Sequence, residues 1–286
     1  MGVINTTPDS FSDGGLYLDP AKAIAHGTQL AAEGAHILDV GGMSTRPGAS
    51  PISPKEELER VLPVIEGLHR LHSQAISIDT TRASVAEAAL ASGASIVNDV
   101  SAATEDPLML GVVADHPGSS LVLMHRQGAP STMQVDPRYG DDVVAEVKGA
   151  LEDACARAVE AGVAEECLWI DPGIGFGKRL EDNLALIARL GELGALGFPI
   201  VLGVSRKSFI GHVTGAQVQA DYLAQERRDA PSERIGGTAA AITLCAAQGT
   251  ADVFRVHDVR VMAEAIAVAR AISNASAQAS ACGPDS

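Results

Sequence analysis

The sequence predicts an α/β protein folded as one closed (β/α)8 barrel, and four observations lead there. Short β-branched runs alternate strictly with longer Ala-rich stretches, eight of each. The runs are apolar along their length, as strands buried on both faces are. Apolar residues make up 46% of the chain and aromatics only 3%, so the core must be Ala, Val, Ile and Leu. The length of 286 residues is near the roughly 250 that such a barrel uses. An open doubly wound sheet would show the same alternation, because strand order is not written in a sequence.

The strand-forming runs are 2–4, 36–40, 75–79, 95–100, 120–124, 167–171, 199–204 and 252–256. Helical stretches follow at 20–34, 54–72, 82–92, 106–116, 141–162, 181–193, 235–248 and 259–272. Asp19-Pro20 and Ser53-Pro54 each join an N-cap residue to a proline at the first helical position. Gly34, Gly93 and Gly162 stand where a glycine closes a helix. A single domain over 1–272 is expected. Within it, 211–234 reads as a polar excursion between the seventh strand and its helix, and 273–286 as a low-complexity, disordered tail.

Charge narrows the function. With 21 Lys and Arg against 36 Asp and Glu, the net charge is −15. Such a chain is poorly suited to nucleic acid or to an anionic membrane surface. No apolar run approaches the roughly 18–20 residues that span a bilayer, and no basic segment with an apolar stretch opens the chain. A cytoplasmic protein is expected. Cys155, Cys167, Cys245 and Cys282 are too scattered for a metal cage and read as reduced thiols.

In a parallel barrel the chemistry sits at the C-terminal ends of the strands. Those ends read Asn5, Asp39, Asp79, Asn98-Asp99, Met124-His125, Asp171, Ser205-Arg206-Lys207 and Arg255-Val256-His257. Helix capping explains any single polar end. Eight ends converging on one rim fit a binding site better, since each buried polar group would otherwise cost a few kcal/mol. Arg46, Lys207, Arg255 and His257 fall on that rim in an acidic chain, which suits an anionic substrate such as a phosphate or pyrophosphate. Four separate surface ion pairs are the alternative. The stretch 171–178, DPGIGFGK, is no Walker A loop, because Pro172 stands where its first glycine should be. It also lacks dinucleotide-binding spacing, and the chain has neither a GxSxG elbow nor an HExxH pair.

Across these ends the chain resembles the dihydropteroate synthases of folate biosynthesis, from Gly2 to about Ala267. The stretches that carry the resemblance are NTTPDSFSDGG (5–15), GGMSTRPGA (41–49), SIDT (77–80), NDVS (98–101), LMHRQGAPSTMQ (123–134), DPGIGFGK (171–178), GVSRKSFIG (203–211) and RVHDV (255–259). The resemblance implies a (β/α)8 TIM barrel, usually a homodimer. It also implies transfer of a pterin-methyl group from 6-hydroxymethyl-7,8-dihydropterin pyrophosphate to 4-aminobenzoate, with Mg2+ assisting and sulfonamides competing. By the same resemblance Asp171 takes the pterin's 2-amino-4-oxo edge, Asp79 and Asn98 its remaining nitrogens, and Lys207 its oxygen. Met124 and Val100 pack on the ring faces. Asn5 is the metal position. Thr45, Arg46, Arg255, Val256 and His257 serve the pyrophosphate end, and Phe11, Pro47, Phe176, Lys207 and Ser208 wall the aminobenzoate. The implied catalytic set is Arg46, Asp79, Lys207, Arg255 and His257, stabilising departure of pyrophosphate from a cationic pterin methylene.

The chain departs from the family pattern in three places. Met43 stands where Glu is usual, the strand that usually precedes the one opening at Gly2 is not in this sequence, and 211–234 is longer than typical. Two other readings share part of the pattern. A methyltetrahydrofolate:corrinoid methyltransferase would use the same Asp and Asn contacts but not the TPDSFSDGG or SRKSFIG stretches. A synthase-like paralogue could bind the pterin without turnover.

Overall fold

The computed structural model describes residues 1–6, 19–43, 52–128, 132–218 and 234–281. Its strands are β1 (Gly2–Asn5), β2 (Ile37–Gly41), β3 (Ala75–Asp79), β4 (Ile96–Asp99), β5 (Ser120–Met124), β6 (Leu168–Asp171), β7 (Val201–Leu202) and β8 (Val253–Phe254). The first six pair in chain order, all parallel, and β7 pairs with β8, also parallel. Two single bridges join these pieces, Ile170 with Ile200 and Gly2 with Val256. The Ile170 amide donates to Pro199 O at 2.9 Å, and the Val3 amide to Val256 O at 3.0 Å. The strands therefore run round a full ring, which settles the choice between barrel and open sheet.

Around the ring lie α1 (Pro20–Ala32), α2 (Pro54–Leu71), α3 (Ala83–Ala91), α4 (Met109–Ala114), α5 (Val143–Glu160), α6 (Leu180–Ala188), α7 (Ser208–Val218), α8 (Ile235–Gln248) and α9 (Val259–Ala281). The expected caps form: Asp19 Oδ1 accepts the Ala21 amide at 2.9 Å, and Ser53 Oγ the Glu56 amide at 3.1 Å. Side chains such as Leu38, Val40, Ile76 and Ile78 fill the space between strands and helices.

Three expectations need correction. The 211–234 excursion begins as helix, since α7 runs from Ser208 to Val218. Gly211 and Gly215 make this a poor helix by propensity, but Phe209 and Ile210 are buried and anchor it. Ile210 lies where a side chain on Gly237 of α8 would be. The last helix does not stop at 272 but continues to Ala281, because its Ala-rich sequence is a strong helix former. The segment after α6 is a 3-10 turn, Leu190–Leu196, rather than more α-helix.

Candidate active site

The site follows from the two-residue alternation of strands. Ile37, Ile96, Val122 and Val201, with Met1, Ala75, Trp169 and Val253, make a separate small cluster that plugs the N-terminal end of the barrel interior. Two residues further along each strand, the inward positions are Val3, Asp39, Ser77, Asn98, Met124, Asp171, Gly203 and Arg255. Five of these eight are polar, so the interior turns largely polar within one step. Asn5, Gly41 and Asp79 follow on the next level.

Arg255 joins the two levels. Its Nε donates to Asp39 Oδ2 and its Nη2 to Asp79 Oδ2, both at 2.7 Å. These two ion pairs engage Nε and Nη2 but not Nη1. Burial pushes the Asp79 carboxyl up to about 7, against the pull of Arg255 and with help from the Asp39 charge. Asp39 is fully buried, and its Oδ1 and the neighbouring Ser77 Oγ make no hydrogen bond among the described residues.

Asp171 ends β6. Its Oδ1 accepts the Gly173 amide at 2.7 Å, which fixes the carboxylate, and Oδ2 lies 3.8 Å from where a Cβ on Gly203 would stand. Burial raises its pKa, although Lys207, Arg255 and Lys178 all oppose this. Lys207 Nζ donates to Ile174 O at 2.6 Å and sits 3.9 Å above the Phe176 ring. Burial brings this ammonium down to about 7, against the attraction of Asp171. Its neighbour Arg206 turns the other way, to Asp258, with a backbone φ of 59°. Ser205 holds His257, accepting its backbone amide at 3.2 Å and lying 3.0 Å from Nδ1.

The fold therefore gathers Asp79, Asp171, Lys207 and Arg255 into one electrostatic cluster, with Asn98 and Met124 on the intervening strands. Ser208 opens α7, and Phe176 lies under Lys207. Val256 does not belong here. Its amide and carbonyl are spent on Met1 and Val3 in closing the ring, and its side chain is in the core outside the strands. The alternation of strand faces could have excluded it. Phe11, Thr45, Arg46 and Pro47 lie outside the described residues. Asp39 and Ser205 are legible in the sequence only as polar strand ends with no role assigned, and Gly41 and Gly203 have no role there at all.

No group of three or more His, Cys, Asp or Glu could cage a metal among the described residues. Mg2+ needs no such cage, since one or two protein oxygens with water and phosphate suffice. Asn5 Oδ1 fits that need, because it lies 3.8 Å from the position a Gly41 Cβ would fill and glycine leaves the approach open. A groove of about 300 Å3 beside Met1, His36, Phe254 and Met262 is lined by Val256 but by no other expected site residue among the described ones. No helix among the described residues is long and apolar enough to cross a membrane.

The chain matches a family model described as "Pterin binding enzyme" over residues 1–257. It is 47% identical over 273 residues to a dihydropteroate synthase of Synechocystis, covering 95% of this chain and 89% of that protein. The Xanthomonas albilineans dihydropteroate synthase solved with 4-aminobenzoic acid superposes with a TM-score of 0.83 at 44% identity, covering 95% of this chain and 91% of that one. The same enzyme in complex with 7,8-dihydropteroate gives 0.80 at 41% identity, covering 95% and 92%.

Proposed function

Since this chain belongs to the dihydropteroate synthase family of pterin-binding enzymes, we infer that its rim joins 6-hydroxymethyl-7,8-dihydropterin pyrophosphate to 4-aminobenzoate. The products are 7,8-dihydropteroate and pyrophosphate. The observation that carries this reading is the gathering of Asp79, Asp171, Lys207 and Arg255 into one electrostatic cluster at the strand ends.

The roles follow from the donors and acceptors present. Asp171, held by Gly173, presents Oδ2 to the N–H groups of the pterin edge. Asp79 and Asn98 meet the other ring nitrogens, Lys207 donates to the ring oxygen, and the ring lies on Met124. At the far end Arg255 Nη1 and His257, with Thr45 and Arg46, receive the pyrophosphate. Phe176 and Ser208, with Phe11 and Pro47, wall the aminobenzoate. Asn5 would hold Mg2+, which when bound neutralises charge on the leaving pyrophosphate. The C–O bond breaks with its electrons on pyrophosphate, the dihydropterin ring spreads the positive charge, and the arylamine nitrogen attacks and loses a proton. The protein's work is electrostatic, and removing one such donor typically costs about 2.7–4 kcal/mol in the barrier.

The assembly is a cytoplasmic homodimer in this reading. Exposed Leu244 on α8 with Val261, Val268 and Ile272 on α9 supports a covered face there. The function is tested by pyrophosphate release from purified protein and by Asp171→Asn. Turnover should be present in the wild type and fall by about a hundredfold or more in the variant. Wild-type turnover in Asp171→Asn would overturn the assignment.

A further inference from the structure

Lys178 closes the DPGIGFGK stretch and has no part in the chemistry above, yet its side chain is 3% exposed. Burying an ammonium is costly unless its donors are satisfied. Here all three find acceptors: His125 Nδ1 at 2.9 Å, Phe176 O at 3.2 Å and His125 O at 3.3 Å. The first and third belong to the loop after β5, and the second to the loop after β6. The two loops also meet backbone to backbone. A Cβ on Gly173 would stand 1.9 Å from His125 O, and one on Gly177 would stand 2.2 Å from Gln127 O. Tyr139 Oη adds a hydrogen bond to Gly177 O at 2.8 Å.

What the ammonium ties together is specific. His125 directly follows Met124, the platform under the pterin, and Phe176 is the ring beneath Lys207. The geometry points to Lys178 as a positioning residue for the synthase reaction, one that fixes the aminobenzoate wall at Phe176 against the pterin platform at Met124. This rests on the synthase reading. It requires His125 to be neutral with its proton on Nε2, because Nδ1 is the acceptor. Burial and the Lys178 charge both hold the His125 imidazolium down, to about 3, in agreement with a neutral ring. Burial brings the Lys178 ammonium itself down to about 7, with Asp171 and Asp182 opposing this and Lys207 adding to it, so the clamp is charged below that pH.

Two measurements test this. In wild-type protein, nitrogen-15 spectra of the histidine rings, assigned with His125→Gln, should show His125 as the Nε2–H tautomer and untitrated between about pH 5 and 8. An ordinary titration there would overturn the clamp without any need for a Lys178 variant. In Lys178→Met, the stranded acceptors should raise KM for 4-aminobenzoate about tenfold. Binding of the pterin pyrophosphate should change less than about threefold, and Lys178→Arg should recover part of the loss. Equal effects on both substrates, or none, would reduce Lys178 to a structural residue and overturn the inference. Absence of turnover in the wild type would instead sink the synthase reading, and the His125 tautomer would still decide whether the clamp exists.

Discussion

Gly203→Ala probes the proposed pterin slot with one methyl group. Gly203 lies on the inward face beyond β7, and its backbone is not in the left-handed region, so alanine fits the conformation. The nearest atom to the new Cβ is Asp171 Oδ2 at 3.8 Å, an ordinary van der Waals contact. The fold therefore loses nothing, and Gly→Ala at a compatible site gains about 0.4–1 kcal/mol through the unfolded chain. The slot, however, becomes shallower beside the oxygen that is to grip the pterin. Overpacking by a methyl costs typically 1–3 kcal/mol, or roughly tenfold to a hundredfold in Kd. Calorimetric titration with the pterin pyrophosphate, without aminobenzoate, reads that change, and the thermal midpoint without ligand reads the stability. Gly111→Ala on α4, with nothing within 4 Å of its Cβ, is the control and should leave binding unchanged. Wild-type affinity in Gly203→Ala would mean that the ring does not lie over this strand end.

Further predictions concern the ion pairs. Asp39→Asn removes the buried charge that takes Arg255 Nε, a charge-assisted bond worth about 1.5–3 kcal/mol. Urea unfolding should show that loss, and kcat should fall because Arg255 is less firmly aimed; unchanged values in both assays would refute the role. Asp79 gives a pH signature. Its folded pKa of about 7 lies above the ordinary value near 4, so the folded chain keeps a proton that the unfolded chain releases. Its contribution to stability is full below pH ~4 and is lost as pH rises through ~7. The stability difference between wild type and Asp79→Asn should shrink across that window, and parallel curves would contradict the raised pKa.

The strand ends were legible because parallel strands buried on both faces leave nothing polar until the rim. Asp79, Asn98, Asp171 and Lys207 stand out for that reason. Asp39 was harder to read. It marks the end of an apolar run, but β2 continues to Gly41 and the carboxylate lies a level below the opening. Gly41 and Gly203 contribute by having no side chain, which no sequence pattern of polar residues can reveal. Lys178 was hidden for a different reason. Its partners are a ring nitrogen and two carbonyls, which sequence does not place. The α7 helix was missed because its stability comes from the burial of Phe209 and Ile210 rather than from local propensity.

The ring has two thin seams, each a single bridge, on either side of the β7–β8 pair. Lys207 and Arg255 belong to the smaller piece, while Asp79, Asn98 and Asp171 belong to the larger. The paired guanidinium already stitches one seam, through Asp39 and Asp79. A substrate gripped from both sides becomes a cross-brace, present while bound and withdrawn at each release. Damage to either seam would then surface first as weak capture of substrate, in a protein that still melts like its parent.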